Sequence, residues 1–120
     1  MSIRIVATGS YVPKHVRGND FFARHFNCTE EAIFRETGVL TRHVAKRELD
    51  ETTVFMGAEA CRKAMDTVGL NPQDLDLILN VSAIPEQAIP DSAVLMQREL
   101  GLGRSGIPAF SIHATCLGFV

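Results

Sequence analysis

The chain is predicted to be α/β, with a mostly parallel sheet and packing helices. Apolar stretches rich in β-branched residues recur at Ile3–Thr8, Leu77–Ser82 and Ala109–His113. The first is apolar on both faces, as a strand covered by helices on both sides must be. Between these stretches run segments whose apolar positions are spaced by three and four, the period of a helix with one buried face. Strand, helices, strand, helix and strand in that order favour parallel pairing through crossovers.

Taken in order, Ile3–Thr8 is the first predicted strand and Gly9-Ser10 stops it. Pro13 and Gly18 punctuate a loop, after which Asn19 or Asp20 is expected to cap a short helix through Phe21, Phe22 and Phe26. Thr29 caps the next helix, Glu30 and Glu31 sit favourably in its first turn, and Gly38 ends it. Val39–Ala45 is expected to be extended and the charged run Lys46–Glu51 to be a solvated turn. The clearest helix starts at Thr52 or Thr53 and closes at Gly69. Its inner face (Val54, Gly57, Ala58, Cys61, Ala64, Met65, Val68) is narrow, which permits close approach and places Cys61 in the core. Asn71-Pro72 opens a short turn before Leu77–Ser82. After an Ile84–Pro90 loop, Asp91 or Ser92 caps a helix through Leu100, and Gly101, Gly103 and Gly106 lead to the last strand. These glycines lack dinucleotide-loop spacing.

Composition narrows the classes of function. With 120 residues, 46% hydrophobic and 22% charged, the chain suits a single soluble domain. A formal charge of −2 gives no footprint for nucleic acid or an anionic membrane. No apolar run approaches the ~20 residues that span a bilayer, and the amino terminus lacks a signal-peptide core. Cys28, Cys61 and Cys116 are widely spaced, so neither a disulfide framework nor a metal site is expected. An odd cysteine count fits a reducing compartment, and a cytoplasmic location is the expectation.

The chemistry is concentrated at the end of the last strand. Ala109–His113 is followed by small residues, then Cys116, Leu117 and Gly118, an order suited to a sharp turn that starts a helix near the cysteine. A thiol there faces the positive end of a helix dipole, which favours thiolate and hence nucleophilic attack on a thioester. On local pattern alone Cys116 also reads as a small buried hydrophobe. His113 reads as a histidine making a supporting hydrogen bond, and His15, His25 and His43 as surface or loop residues.

Phe110–Phe119 resembles the active-site segment of the ketoacyl-acyl-carrier-protein synthase III family, condensing enzymes with the thiolase fold. The likeness extends to Gly9–Pro13, Val16–Asn19, Thr37–Val39 and Arg42-His43. It continues through Met56–Ala60, Ala88–Pro90, Gln97 and Leu100-Gly101. The resemblance implies that residues 1–120 are an incomplete amino-terminal thiolase-like domain, the first half of a duplicated fold, ending just after the nucleophile turn. It further implies an acyltransferase in which Cys116 takes an acyl group from acyl-CoA or an acyl carrier protein. Decarboxylative Claisen condensation with malonyl-carrier protein would follow, as in fatty acid biosynthesis. No cofactor or metal is expected. The partners implied are acyl carrier protein and a second copy in a homodimer, across which Ile89 closes the acyl pocket. The family's catalytic histidine and asparagine would lie beyond Val120, so this piece alone is expected to be inactive.

Departures from the family pattern bear on substrate and reaction. Ala32 and Glu36 stand where many members carry a tryptophan and an arginine that hold coenzyme A. Without the aromatic platform, and with a carboxylate near a phosphate, either coenzyme A binds differently or the donor is an acyl carrier protein. Ile89 replaces a frequent phenylalanine, Ser111 a usual aspartate and His113 a usual small residue. Two other readings follow from the same fold: an acyltransferase to an oxygen or nitrogen acceptor, and a non-catalytic partner subunit. A module that only sequesters acyl chains is a third.

Overall fold

In the computed structural model, which describes residues 2–118, contacts divide the chain into two units. One is Val12–Glu51; the other is the described part of Met1–Tyr11 and Thr52–Val120.

In the smaller unit β1 (Val16–Gly18) leads directly into α1 (Asn19–Phe26), followed by α2 (Glu30–Thr37) and β2 (Thr41–His43). β1 and β2 pair antiparallel, Arg17 opposite Arg42. The extended segment expected over Val39–Ala45 is thus a three-residue strand, and its partner lies across two helices. Neither Asn19 nor Asp20 caps α1; Gly18 holds the cap position without a side-chain bond. The reason is tertiary. Asn19 is buried, its amide nitrogen donates to the Val39 carbonyl at 2.8 Å, and its oxygen accepts from Arg42 at 2.7 Å. α2 follows its expected punctuation, with the Thr29 hydroxyl accepting from Ala32 N–H and Gly38 closing at φ 68°. Lys46–Glu51 contains a 3₁₀ turn at Arg47–Leu49 and is not fully solvated. Glu51 is buried, and its carboxylate accepts the Lys46 N–H at 2.9 Å.

The larger unit is built on α3 (Thr53–Val68). The Thr52 hydroxyl accepts from Phe55 N–H, a cap worth about 1 kcal/mol, and Gly69 ends the helix in the left-handed region at φ 69°. β3 (Ile78–Val81), α4 (Ser92–Glu99) and β4 (Ala109–Ile112) form a parallel β-α-β unit, with Ile78 opposite Ala109 and Val81 opposite Ile112. Asp91 caps α4 by accepting from Ala93 and Val94 N–H. Val54, Ala58 and Met65 of α3 pack with Ile78, Ala93, Met96, Leu100 and Leu102. The narrow face of α3 makes this possible: a Cβ on Gly57 would lie 2.5 Å from Met96 Cε.

The first predicted strand does not form one. Residues 3–8 belong to no strand or helix, and Ile3 is 99% exposed. A strand exists only through a neighbour's hydrogen bonds, and among the described residues none pairs with this segment. The residues that follow are fixed: Lys63 donates to the Ser10 carbonyl at 3.0 Å, and the Tyr11 ring meets Phe55 edge-on at 5.6 Å. Parallel pairing among the described residues is therefore the β3–β4 pair.

Candidate active site

Side chains alternate across the β3–β4 pair. Ile78, Asn80, Ala109 and Ser111 face α4, and the Ser111 hydroxyl accepts both the Ala93 N–H and the Asn80 amide at 3.2 Å. Leu79, Val81, Phe110 and Ile112 form the opposite, exposed face.

Beyond β4 the chain turns sharply. Thr115–Leu117 is a single 3₁₀ turn closed by Leu117 N–H to the Ala114 carbonyl at 3.0 Å. Thr115 adopts φ 47°, a conformation that costs a β-branched residue strain energy and is commonest where function requires it. Its hydroxyl donates to the Ala114 carbonyl at 2.8 Å. Gly118 packs so closely that a Cβ there would lie 2.1 Å from Val81 Cγ1. Cys116 sits in the middle of this turn and is exposed. It is neither mid-strand nor sealed among aliphatic side chains. Phe119, the end of the motif, lies outside the described residues.

His113 Nδ1 lies 3.1 Å from the Ser82 carbonyl. A carbonyl only accepts, so that nitrogen carries the proton, and the bond ties the end of β4 to the end of β3. This is the supporting role expected for His113. His25 and His43 likewise bond backbone carbonyls, of Phe21 and Pro13. Cys61 is partly buried against the core; burial raises its thiol pKa from the ordinary 9.0, offset in part by the Arg62 guanidinium. Among the described residues no group of three or more histidines, cysteines or carboxylates gathers as a metal cluster, and no helix is long and apolar enough to cross a membrane.

Ile89 lies on the loop between β3 and α4, 87% exposed, and precedes a cis proline, Pro90. Ala32 is half-buried on α2, and Glu36 is exposed beside Arg35 on the same helix. Sequence reasoning missed the polar frame around the Ile89 loop. Glu86 accepts from Thr53, and the Glu86 N–H donates to the Ser92 hydroxyl at 3.1 Å. Its only trace in the sequence is a Glu86-Gln87 pair inside an otherwise apolar loop.

The parallel β-α-β unit, the turn after its second strand and the thiol on that turn define the first part of a thiolase-like α/β fold. The structure superposes on 3-oxoacyl-[acyl-carrier-protein] synthase III from Aquifex aeolicus with a TM-score of 0.83 at 35% identity, covering 97% of this chain and 36% of that one. The priming β-ketosynthase of the R1128 polyketide pathway gives 0.84 at 31% identity, covering 97% and 34%. Among curated proteins, the β-ketoacyl-[acyl-carrier-protein] synthase III of Neisseria meningitidis serogroup A is 38% identical over 117 residues, 98% of this chain and 36% of that protein. That of Brucella melitensis biotype 2 is 42% identical over 112 residues, 93% and 33% respectively. No protein-family model matches. The chain corresponds to the amino-terminal part of the ketoacyl-acyl-carrier-protein synthase III family, and spans about a third of the length of the curated relatives it matches.

Proposed function

We propose that this chain supplies the nucleophile of a decarboxylative condensing enzyme of the 3-oxoacyl-carrier-protein synthase III type, as about a third of a longer protein acting in fatty acid biosynthesis. The observation that carries the reading is the exposed Cys116 thiol on a turn held by the strained Thr115 and by Gly118 against Val81. A thiolate at Cys116 attacks the acyl thioester carbonyl, the new C–S bond forms, and the donor thiol leaves. Malonyl-carrier protein then loses carbon dioxide, and the resulting carbanion attacks the acyl-enzyme carbonyl and expels Cys116 as thiolate. The backbone N–H of Cys116 is the local donor for the developing oxyanion.

The donor is an acyl-CoA or an acyl carrier protein. α2 offers no aromatic platform at Ala32, and its Glu36 carboxylate is paired with Arg35, so either coenzyme A binds differently from the family pattern or the donor is carrier-bound. Ile89 lines the acyl pocket of a homodimer, and a cytoplasmic setting keeps the thiol reduced. Replacing Cys116 with Ala in the full-length protein is expected to abolish the acyl-enzyme seen by mass spectrometry. An unchanged adduct would remove the nucleophile assignment. Release of carbon dioxide from malonyl-carrier protein separates condensation from acyl transfer to oxygen or nitrogen.

A further inference from the structure

We propose that Glu86 is a positioning residue for acyl selectivity, clamping the loop that carries Ile89 to the start of α3. The selectivity part rests on the reading of Ile89 as a pocket residue; the clamp stands on geometry. Glu86 Oε2 accepts the Thr53 N–H at 2.8 Å and also the Thr53 hydroxyl. Thr53 is the first residue of α3, and its N–H has no acceptor within the helix. A carboxylate there also meets the positive end of a 16-residue helix, and a charge-assisted bond is stronger than a neutral one.

The same residue is tied a second time. Its backbone N–H donates to the hydroxyl of Ser92, the first residue of α4. One residue of the loop is thus fastened to the starts of two helices that share a core, as a site held to tight tolerance requires. Gln87 adds a bond from its amide to the Ile89 carbonyl at 2.9 Å. At 87% exposure Ile89 has little apolar packing to orient it, so its position is set by these polar neighbours. The frame continues through Ala93 N–H to the Ser111 hydroxyl on β4, the strand that leads to Cys116.

The test uses the full-length protein with Glu86→Ala, Glu86→Gln, Thr53→Val and Ile89→Phe. It reads two quantities: the ratio of kcat/KM between short and long acyl donors, and amide hydrogen exchange over residues 84–90. Glu86→Ala is expected to change the donor ratio by about tenfold, the scale of one misplaced pocket group, and to speed exchange in the loop. Glu86→Gln keeps a carbonyl oxygen for the Thr53 N–H and is expected to restore most of both. Thr53→Val, which keeps the N–H but loses the hydroxyl, is expected to shift both less, in the same direction. Wild-type exchange in Glu86→Ala overturns the clamp. Faster exchange with an unchanged donor ratio, where Ile89→Phe does change it, overturns the selectivity role. An unchanged ratio in Ile89→Phe overturns the pocket reading and the selectivity role with it, while the exchange data still decide the clamp.

Discussion

Cys61 and Cys116 are the same side chain in two settings within one unit of the fold. Cys61 lies on the inner face of a long helix whose caps, small residues and core neighbours all agree, and its thiol is held neutral by burial. Cys116 lies on a one-turn segment with a left-handed threonine before it and an exposed thiol. The first region is organised to remove a thiol from chemistry and the second to present one. Burial separates the two thiols, and the fold supplies a packed and an open setting within sixty residues of chain.

Two glycines give the sharpest way to disturb one region and then the other. A Cβ on Gly9 would lie 2.2 Å from the Ala60 carbonyl oxygen and 2.7 Å from Ala64 nitrogen, both backbone atoms of α3 beside Cys61. The helix backbone cannot yield cheaply, so Gly9→Ala is expected to cost about 2–3 kcal/mol, seen as a lower denaturation midpoint with an unchanged slope. Gly118→Ala clashes with the side chain of Val81, which can leave its rotamer well for about 1 kcal/mol, and meets the Thr115 carbonyl only at ordinary contact distance. Its stability cost is smaller, and its expected effect is slower acylation of Cys116 in the full-length protein. Equal losses of stability in the two variants would erase the distinction between packed region and turn.

What was legible in the sequence follows the same division. α2, α3 and α4 start and stop where their caps predict, because Thr29, Thr52 and Asp91 bond within their own first turns. The misreadings involve partners distant in sequence. Asn19 has the composition of a cap, yet its amide bonds Val39 and Arg42, twenty or more positions away. Glu51 looks like part of a solvated run and is buried. Ile3–Thr8 has the pattern of a strand, but pattern specifies which faces are apolar and not which neighbour supplies the ladder. At the candidate site, the small residues around Cys116 predicted the sharp turn after β4, which among the described residues is a single 3₁₀ turn and not the start of a longer helix. The Glu86 frame was invisible because a loop glutamate carries no periodicity and its acceptor role depends on where α3 begins.

Alkylation measures the contrast between the thiols directly. With iodoacetamide under native conditions, Cys116 is expected to label at least about tenfold faster than Cys61, since the core neighbours of the partly buried thiol restrict access and 1.4 kcal/mol of local opening suffices for that factor. Peptide mapping of a labelling time course gives both rates in one sample. Exposed Cys28 serves as the reference for an accessible thiol. Comparable rates for Cys61 and Cys28 would show that the α3 face opens readily and that packing does not protect it.

The smallest effect expected concerns Cys61 alone and appears only in alkaline solution. Its pKa in the folded protein lies above the ordinary 9.0, from desolvation and despite Arg62. The folded state therefore holds the proton to higher pH than the unfolded chain does. Below the unfolded value both states carry a neutral thiol and the group leaves stability independent of pH. Above it the unfolded chain ionises first, so stability falls as pH rises towards the folded pKa. Cys61→Ala removes this dependence while also removing a small core side chain. The informative quantity is thus the difference in stability between wild type and variant as a function of pH, not its size at any one pH. That difference is expected to be flat below pH 9 and to move against the wild type above it. A difference that stays flat through pH 10 would mean that the thiol ionises equally well in both states, and that the helix face does not exclude water.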